Sequence, residues 1–208
     1  VKNTIVSAII FSLVFSAFGQ ATDPNTVDPQ PASRDIPGFD GISWGTRYAD
    51  VKQRFIDLMG QAQTEQRVEI ISDTPDREIL VQRAGILYKY SFYKNPAPRS
   101  EDPNAEENNP RFFYAESAFP LVPSEDIYSK LVEKYGERTA SSRNKDNRGA
   151  YIWTLPTGYL VQWIEPYEKG SYTRRLSYLS KKIREEINTD IKYYQYKKEL
   201  AALEAILP

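Results

Sequence analysis

The chain contains no cysteine and no histidine. The first absence excludes disulfide staples, thiol nucleophiles and thiolate metal sites. The second removes the imidazole on which Ser-His-Asp triads, Cys-His dyads and most zinc sites depend. Glycine is sparse, 10 residues in 208, and no GxGxxG or GxxxxGK[ST] phosphate loop occurs. An Asx-rich calcium loop with its central Gly and terminal Glu is also missing. Neither charge sign dominates. Against 27 basic residues stand 28 acidic ones, a net charge of −1 that leaves no footprint for nucleic acid.

One apolar run is present, and it is short. Ile5 to Phe18 carries no charge, follows Lys2, and leads to Ala17 and Gly19 at the −3 and −1 positions of a cleavage site. This is the layout of a secretory signal peptide over residues 1–19. Its fourteen residues fall short of the roughly 20 a spanning helix needs. The expected location is periplasmic or secreted. With no cysteine after the run there is nothing to carry a lipid anchor, so no stable membrane insertion is expected after cleavage. Residues 20–37 (QATDPNTVDPQPASRDIP) read as a flexible Pro-rich leader. Residues 38–208 are then long enough for a single α+β domain with its own core.

Within that domain, Phe39 to Trp44 predicts a short strand. Thr46 predicts a helix N-cap. Tyr48, Val51, Phe55, Leu58 and Met59 recur on one helical face, and Gly60 closes it. Strands follow at Val68–Ile71, Glu78–Gln82 and Ile86–Tyr93, the last with Ile86, Tyr88, Tyr90 and Phe92 on one side. Residues 94–110 form a proline- and acid-rich loop. Arg111–Phe119 predicts a strand that opens a second, similar half. In it Ser124 caps a helix with Ile127, Tyr128, Leu131, Val132 and Tyr135 on its apolar face, ended by Gly136. After a polar loop, Tyr151–Leu155 and Tyr159–Glu165 form a hairpin, and Tyr172–Ser180 a further strand. The reading is one antiparallel sheet built from two strand–helix–strands pseudo-repeats, with two helices on one face. A long C-terminal helix runs from Lys181 to Ile206, with Ile183, Ile187, Ile191 and Tyr194 on one face and Thr189-Asp190 as a point of kinking or restart.

Chemistry is thin. Ser142-Arg143-Asn144-Lys145 matches S-x-x-K but lacks the S-D-N and K-T-G companions of penicillin-interacting serine enzymes. Glu116 and Glu165, each in or beside a strand, can meet on one sheet face as a hydrolytic carboxylate pair. Asp73, Asp76 and Glu78 offer oxygen ligands only. The basic cluster Arg174, Arg175, Lys181, Lys182 and Arg184 faces either an anion or solvent. Aromatics are the positive signal at 13% of the chain. Trp44, Trp153 and Trp163 fall on strands or their ends. Tyr193, Tyr194 and Tyr196 share one helical turn and cannot all face one core, which turns one or more towards solvent or a partner. The candidate contact residues are therefore Tyr193, Tyr194, Tyr196, Trp153, Trp163, Arg174 and Arg175, with no catalytic, cofactor or metal residue assigned.

Gly41-Ile42-Ser43-Trp44-Gly45-Thr46, followed by Val51 and Phe55, resembles the opening of small exported bacterial proteins of unassigned function, spirochaete proteins among them. The helix-then-antiparallel-sheet unit is similar to that of BamE-type outer-membrane assembly lipoproteins and of β-lactamase inhibitor proteins. The chain departs from the first in lacking a lipoprotein cysteine and from the second in lacking disulfides, so no functional residue carries over. The expectation is a non-enzymatic periplasmic protein acting by protein–protein contact in the cell envelope, as an accessory of an envelope or periplasmic-flagellar assembly. Its alternatives are a carrier for a lipid, peptide or glycan, and a carboxylate-dependent hydrolase. An envelope protein is the expected partner, and no cofactor is expected.

Overall fold

A computed structural model describes residues 35–60, 67–96, 98, 100–102, 105–119, 121–146, 148–167 and 170–206. The expected signal peptide lies outside the described residues, as does the leader up to residue 34. The last residues of that leader belong to the domain. Ile36 is buried against the second half of the core. Asp35 Oδ1 accepts hydrogen bonds from the Thr157 amide (2.9 Å) and hydroxyl (2.8 Å). Asp35 and Ile36 thus pack with the domain, because an apolar residue and a turn-capping carboxylate sit there beside Pro37.

The expected single strand at 39–44 is a miniature hairpin, β1 (Gly38–Phe39) with β2 (Ile42–Ser43). Asp40 and Gly41 both take positive φ, 53° and 71°, the geometry for which Asp-Gly is the preferred pair. Arg54 of α1 (Tyr48–Gly60) clasps this turn, donating to the carbonyls of Gly41 (2.9 Å) and Asp40 (3.0 Å). Thr46 does not cap α1. Its hydroxyl donates to Ser43 O at 2.8 Å, and the Arg47 carbonyl accepts the first helical amides.

Eight strands then form one antiparallel sheet. They are β3 (Val68–Thr74), β4 (Glu78–Arg83), β5 (Ile86–Tyr93), β6 (Arg111–Ala118), β7 (Ala140–Ser141), β8 (Gly149–Thr154), β9 (Gly158–Tyr167) and β10 (Gly170–Ser180). Their spatial order is β3-β4-β5-β6-β10-β9-β8-β7. Each half is a helix followed by a four-strand meander, and the last strands of the two meanders, β6 and β10, pair antiparallel at the centre. The pseudo-repeat is real in outline, but β6 completes the first unit and does not open the second. β7, within the expected polar loop, supplies the second unit's outer strand.

Both helices cover the same sheet face. Under α1 lie Val51 and Phe55 with Ile79, Val81, Tyr90, Phe92, Phe112 and Ala115. Under α2 (Ser124–Tyr135), Ile127 and Leu131 meet Tyr151, Trp153, Leu160, Ile164 and Leu176. Burying each large apolar side chain here contributes about 1.5–3 kcal/mol. Tyr178 of β10 is packed against both clusters and welds the halves together. α2 is capped by Pro123, not by Ser124, which is its first residue. Among the described residues the buried Ser124 hydroxyl has no hydrogen-bond partner, while its carbonyl accepts from Gln162 Nε2 at 2.7 Å. At the other end Gly136, φ 79°, donates its amide to Val132 O, and its carbonyl accepts from the Trp153 indole at 2.8 Å.

The 94–110 segment has internal structure. A 3₁₀ turn at Glu106–Asn108 is held by Asn108 Nδ2, which donates to the carbonyls of Ser100 (3.0 Å) and Asp102 (2.6 Å). α3 (Lys181–Ile206) follows β10 directly. It runs without interruption through Thr189, whose hydroxyl bonds Glu185 O within the helix at 3.0 Å. No helix among the described residues is long and apolar enough to cross a membrane.

Candidate functional site

The sheet face opposite α1 and α2 carries a row of alternating charge. Strand periodicity puts Tyr114 and Glu116 of β6 on it together. The ladder sets Glu116 opposite Lys89 of β5 on one side and Ser177 of β10 on the other. Trp163 of β9 stands opposite Arg175. Lys89 Nζ is 4.0 Å from Glu116 Oε2, Arg175 Nη1 is 3.7 Å from the same oxygen, and Arg175 Nη2 is 3.8 Å from Glu165 Oε1. Four neighbouring strands thus contribute Lys89, Glu116, Arg175 and Glu165 in turn.

A hydrogen-bond relay runs beneath this row. The Trp163 indole can only donate, and it donates to Ser177 Oγ at 2.9 Å. The Glu116 carboxylate accepts from Tyr114 O–H at 2.5 Å. Ser177 therefore donates its own proton to the Tyr114 oxygen, 2.9 Å away. Burial, then the Glu116 charge and hydrogen bond, push the Tyr114 phenol well above its ordinary range. Glu116 and Glu165 do share a face, as the sequence suggested. Between them sits a guanidinium that pairs with both, where a hydrolytic pair needs a gap for substrate.

The other candidates separate. Trp153 is fully buried in the α2 core and presents no surface for contact. Trp163 is half-buried in the relay. Arg174 lies in β10 where the register shifts between Thr173 and Arg175. Three members of the basic cluster turn to separate partners: Arg175 to the two glutamates, Lys182 to Glu186 at 3.9 Å, and Arg184 over the Tyr159 ring. Asp73 accepts from Tyr48 and pairs with Lys52 at 2.7 Å, while Asp76 stands near Lys94. Among the described residues no group of three or more acidic side chains is placed to hold a metal.

α3 divides in two. Its base is anchored: Ile183 is buried, Arg111 Nη2 donates to Glu186 at 2.7 Å, and Tyr93 O–H donates to Asp190 at 2.9 Å. Burial, then the Asp190 hydrogen bond, raises the Tyr93 phenol well above its usual range. Beyond Asp190 the helix continues for sixteen residues, about 24 Å at the α-helical rise. Ile191, Tyr194, Tyr196, Leu203 and Ile206 are exposed there, Tyr196 by 58% and Ile206 by 77%. Tyr193 is half-buried, with Lys197 Nζ 5.6 Å from its ring centre.

Beside the base of α3 lies a cleft of about 450 Å³. Trp44, Pro37, Pro156, Lys181 and Ile183 line it, and the Trp44 indole is already committed to Ile36 O at 2.6 Å. Sequence reading missed Arg111, Tyr114, Ser177 and Asp40 as organising polar residues. For Tyr114 and Glu116 the signal was present in their i, i+2 spacing. For Ser177 it was not, since only the pairing of β6 with β10 brings it there. Comparison with known proteins returns no matching family model, no matching curated protein and no matching solved structure.

Proposed function

We propose that this is a non-enzymatic periplasmic protein that works by protein–protein contact in the cell envelope, with the outer half of α3 as its contact element. The observation that carries the reading is the exposed set Tyr194, Tyr196, Leu203 and Ile206 on the outer half of a helix anchored at its base by Arg111 and Tyr93. Large apolar side chains gathered on an exposed helix surface are costly in solution unless a partner covers them. The arginine wedged between Glu116 and Glu165 supports the non-enzymatic half of the reading. The layout of residues 1–19 supports the periplasmic half.

A photo-crosslinking residue at Tyr196 or Leu203, in a double-membrane bacterium expressing the protein, tests the reading. A covalent adduct in the osmotic-shock fraction is expected at both sites and not at Lys130, which is also exposed, on α2. Recovery of uncrosslinked monomer alone overturns it. The cleft beside Trp44 favours a second reading, a carrier for a small ligand such as a lipid, peptide or glycan, because its volume is within the usual range for such sites. Quenching of tryptophan emission by a lipid or glycan, lost in Trp44→Phe, distinguishes that activity.

A further inference from the structure

We infer that the outer half of α3 pairs with the same segment of a second copy of this chain, as a short antiparallel two-helix coiled coil. This rests on the reading of α3 as the contact element and names its partner. Tyr193, Tyr196, Leu200 and Leu203 recur at spacings of three, four and three, and Leu207 continues the repeat in the sequence. A strict two-in-seven stripe is the seam of a coiled coil, where a core-facing helix shows a broader face. At about 100° per residue, this stripe lies roughly a third of a turn away from Ile183, Glu186, Ile187 and Asp190. Those four occupy the face that α3 turns towards its own sheet at the base. The seam is therefore not the continuation of the intramolecular face.

The flanking charges select the partner and its direction. Beside the seam stand Lys192 and Glu199 in the g positions, Lys197 and Glu204 in the e positions. A parallel pair sets g against the next e, bringing Lys192 to Lys197 and Glu199 to Glu204 of the other copy, like charges in both places. An antiparallel pair sets e against e. With Leu200 opposite Leu203 of the second copy, Lys197 falls beside Glu204 and Glu204 beside Lys197, so the same two residues serve both sides of a two-fold interface. Moving the helices one step to set Tyr193 opposite Leu203 brings Lys197 to Lys197 and Glu199 to Glu199. Moving them further, to set Tyr193 opposite Tyr196, draws in Glu186 and Asp190, which are occupied by Arg111 and Tyr93. One register remains, and in it only the projecting segments overlap.

Sedimentation equilibrium of the protein purified from the osmotic-shock fraction tests this. A concentration-dependent monomer–dimer equilibrium is expected. Lys197→Glu and Glu204→Lys each replace two opposite-charge pairs with two like-charge pairs and should weaken dimerisation about tenfold. The double variant K197E/E204K should restore it. Both residues lie on the exposed outer helix, and unchanged circular dichroism confirms that folding is intact. Because the chain has no cysteine, K197C mixed with E204C reports direction: antiparallel pairing sets the two thiols side by side and favours the mixed disulfide, whereas parallel pairing sets both against g residues and favours no disulfide. A monomer at all concentrations, single variants that dimerise unchanged, an unrestored double variant or no excess of the mixed disulfide overturns the inference. If the Tyr196 adduct contains a different protein while the pure chain stays monomeric, the contact reading stands and the homotypic one falls. If neither adduct nor dimer forms, both fall.

Discussion

Arg111 Nη2 stands 2.7 Å from Glu186 Oε2, joining the first residue of β6 to the second turn of α3. The Arg111 side chain is 5% exposed, and its Nη1 holds Glu106 of the 3₁₀ turn at 2.9 Å. One guanidinium thus fixes the base of the projecting helix and the end of the 94–110 segment. Glu186→Ala leaves this buried cation with one exposed carboxylate, and a loss of about 1–2 kcal/mol in urea unfolding is expected. Tyr93→Phe removes the second tether and should cost about 1 kcal/mol. Both should raise amide exchange in residues 181–190, whereas Lys130→Ala should leave it unchanged.

Asp40 organises the other end of the first core. Its Oδ1 accepts from Arg83 at 2.9 Å and its Oδ2 from the hydroxyl of Tyr90, which is fully buried. Asp40→Gly keeps the positive φ of the turn but strands that hydroxyl, and about 2 kcal/mol of destabilisation is expected. Adding Tyr90→Phe removes the stranded group. The double variant should therefore be more stable than the sum of the two single losses by about 1 kcal/mol, as read by a double-mutant cycle.

Asp73 gives the protein part of its acid sensitivity. Burial opposes its charged form, but the hydrogen bonds from Lys52 and Tyr48 and the Lys52 charge together outweigh it and hold the carboxyl below its ordinary range. A depressed folded pKa means that the contribution is fully present above the unfolded value near 3.9 and is lost as pH falls through the folded one. Asp73→Asn should lower the urea midpoint at pH 7 and flatten its decline below pH 4. Wild type and variant should converge near pH 2.

These contacts also show where the sequence was legible. The α1 face followed from Tyr48, Val51 and Phe55 at i, i+3 and i+7, and the alternation of Tyr88, Tyr90 and Phe92 placed their rings on the core side of β5. Such patterns are local, and burial enforces them. The repeat boundary was not local. Nothing within RFFYAESAF says that β6 ends one meander, because its central partner β10 lies some sixty residues further on. The charged row failed for the same reason: Glu116 and Glu165 were readable as face-sharing, but Arg175 comes between them only because β10 separates β6 from β9. Trp153 and Trp163 looked alike on their strands. Which sheet face each took sent one to the core and the other to the relay. Ser124 looked like a cap, yet Pro123 with its fixed φ took that place.

Alkaline titration distinguishes four tyrosines from the rest. Tyr90, Tyr93, Tyr114 and Tyr178 are each pushed well above the ordinary phenol range, first by burial, and in the first three also by the nearby carboxylates of Asp40, Asp190 and Glu116. A folded pKa raised above the unfolded value means stability that is present below about pH 10 and lost as pH rises beyond it. These phenols should therefore ionise only as the protein unfolds, giving a slow phase in phenolate absorbance after a jump above pH 10, distinct from the phase complete on mixing. Tyr114→Phe should remove one phenol from the slow phase. It should also cost about 1 kcal/mol at pH 7, since Ser177 loses its acceptor and Glu116 its neutral donor. Glu116→Gln keeps a side chain able to accept from Tyr114 but withdraws the charge from between Lys89 and Arg175. It should leave the slow phase in place and begin it at lower pH. A slow phase unchanged in Tyr114→Phe would place that phenol outside the relay.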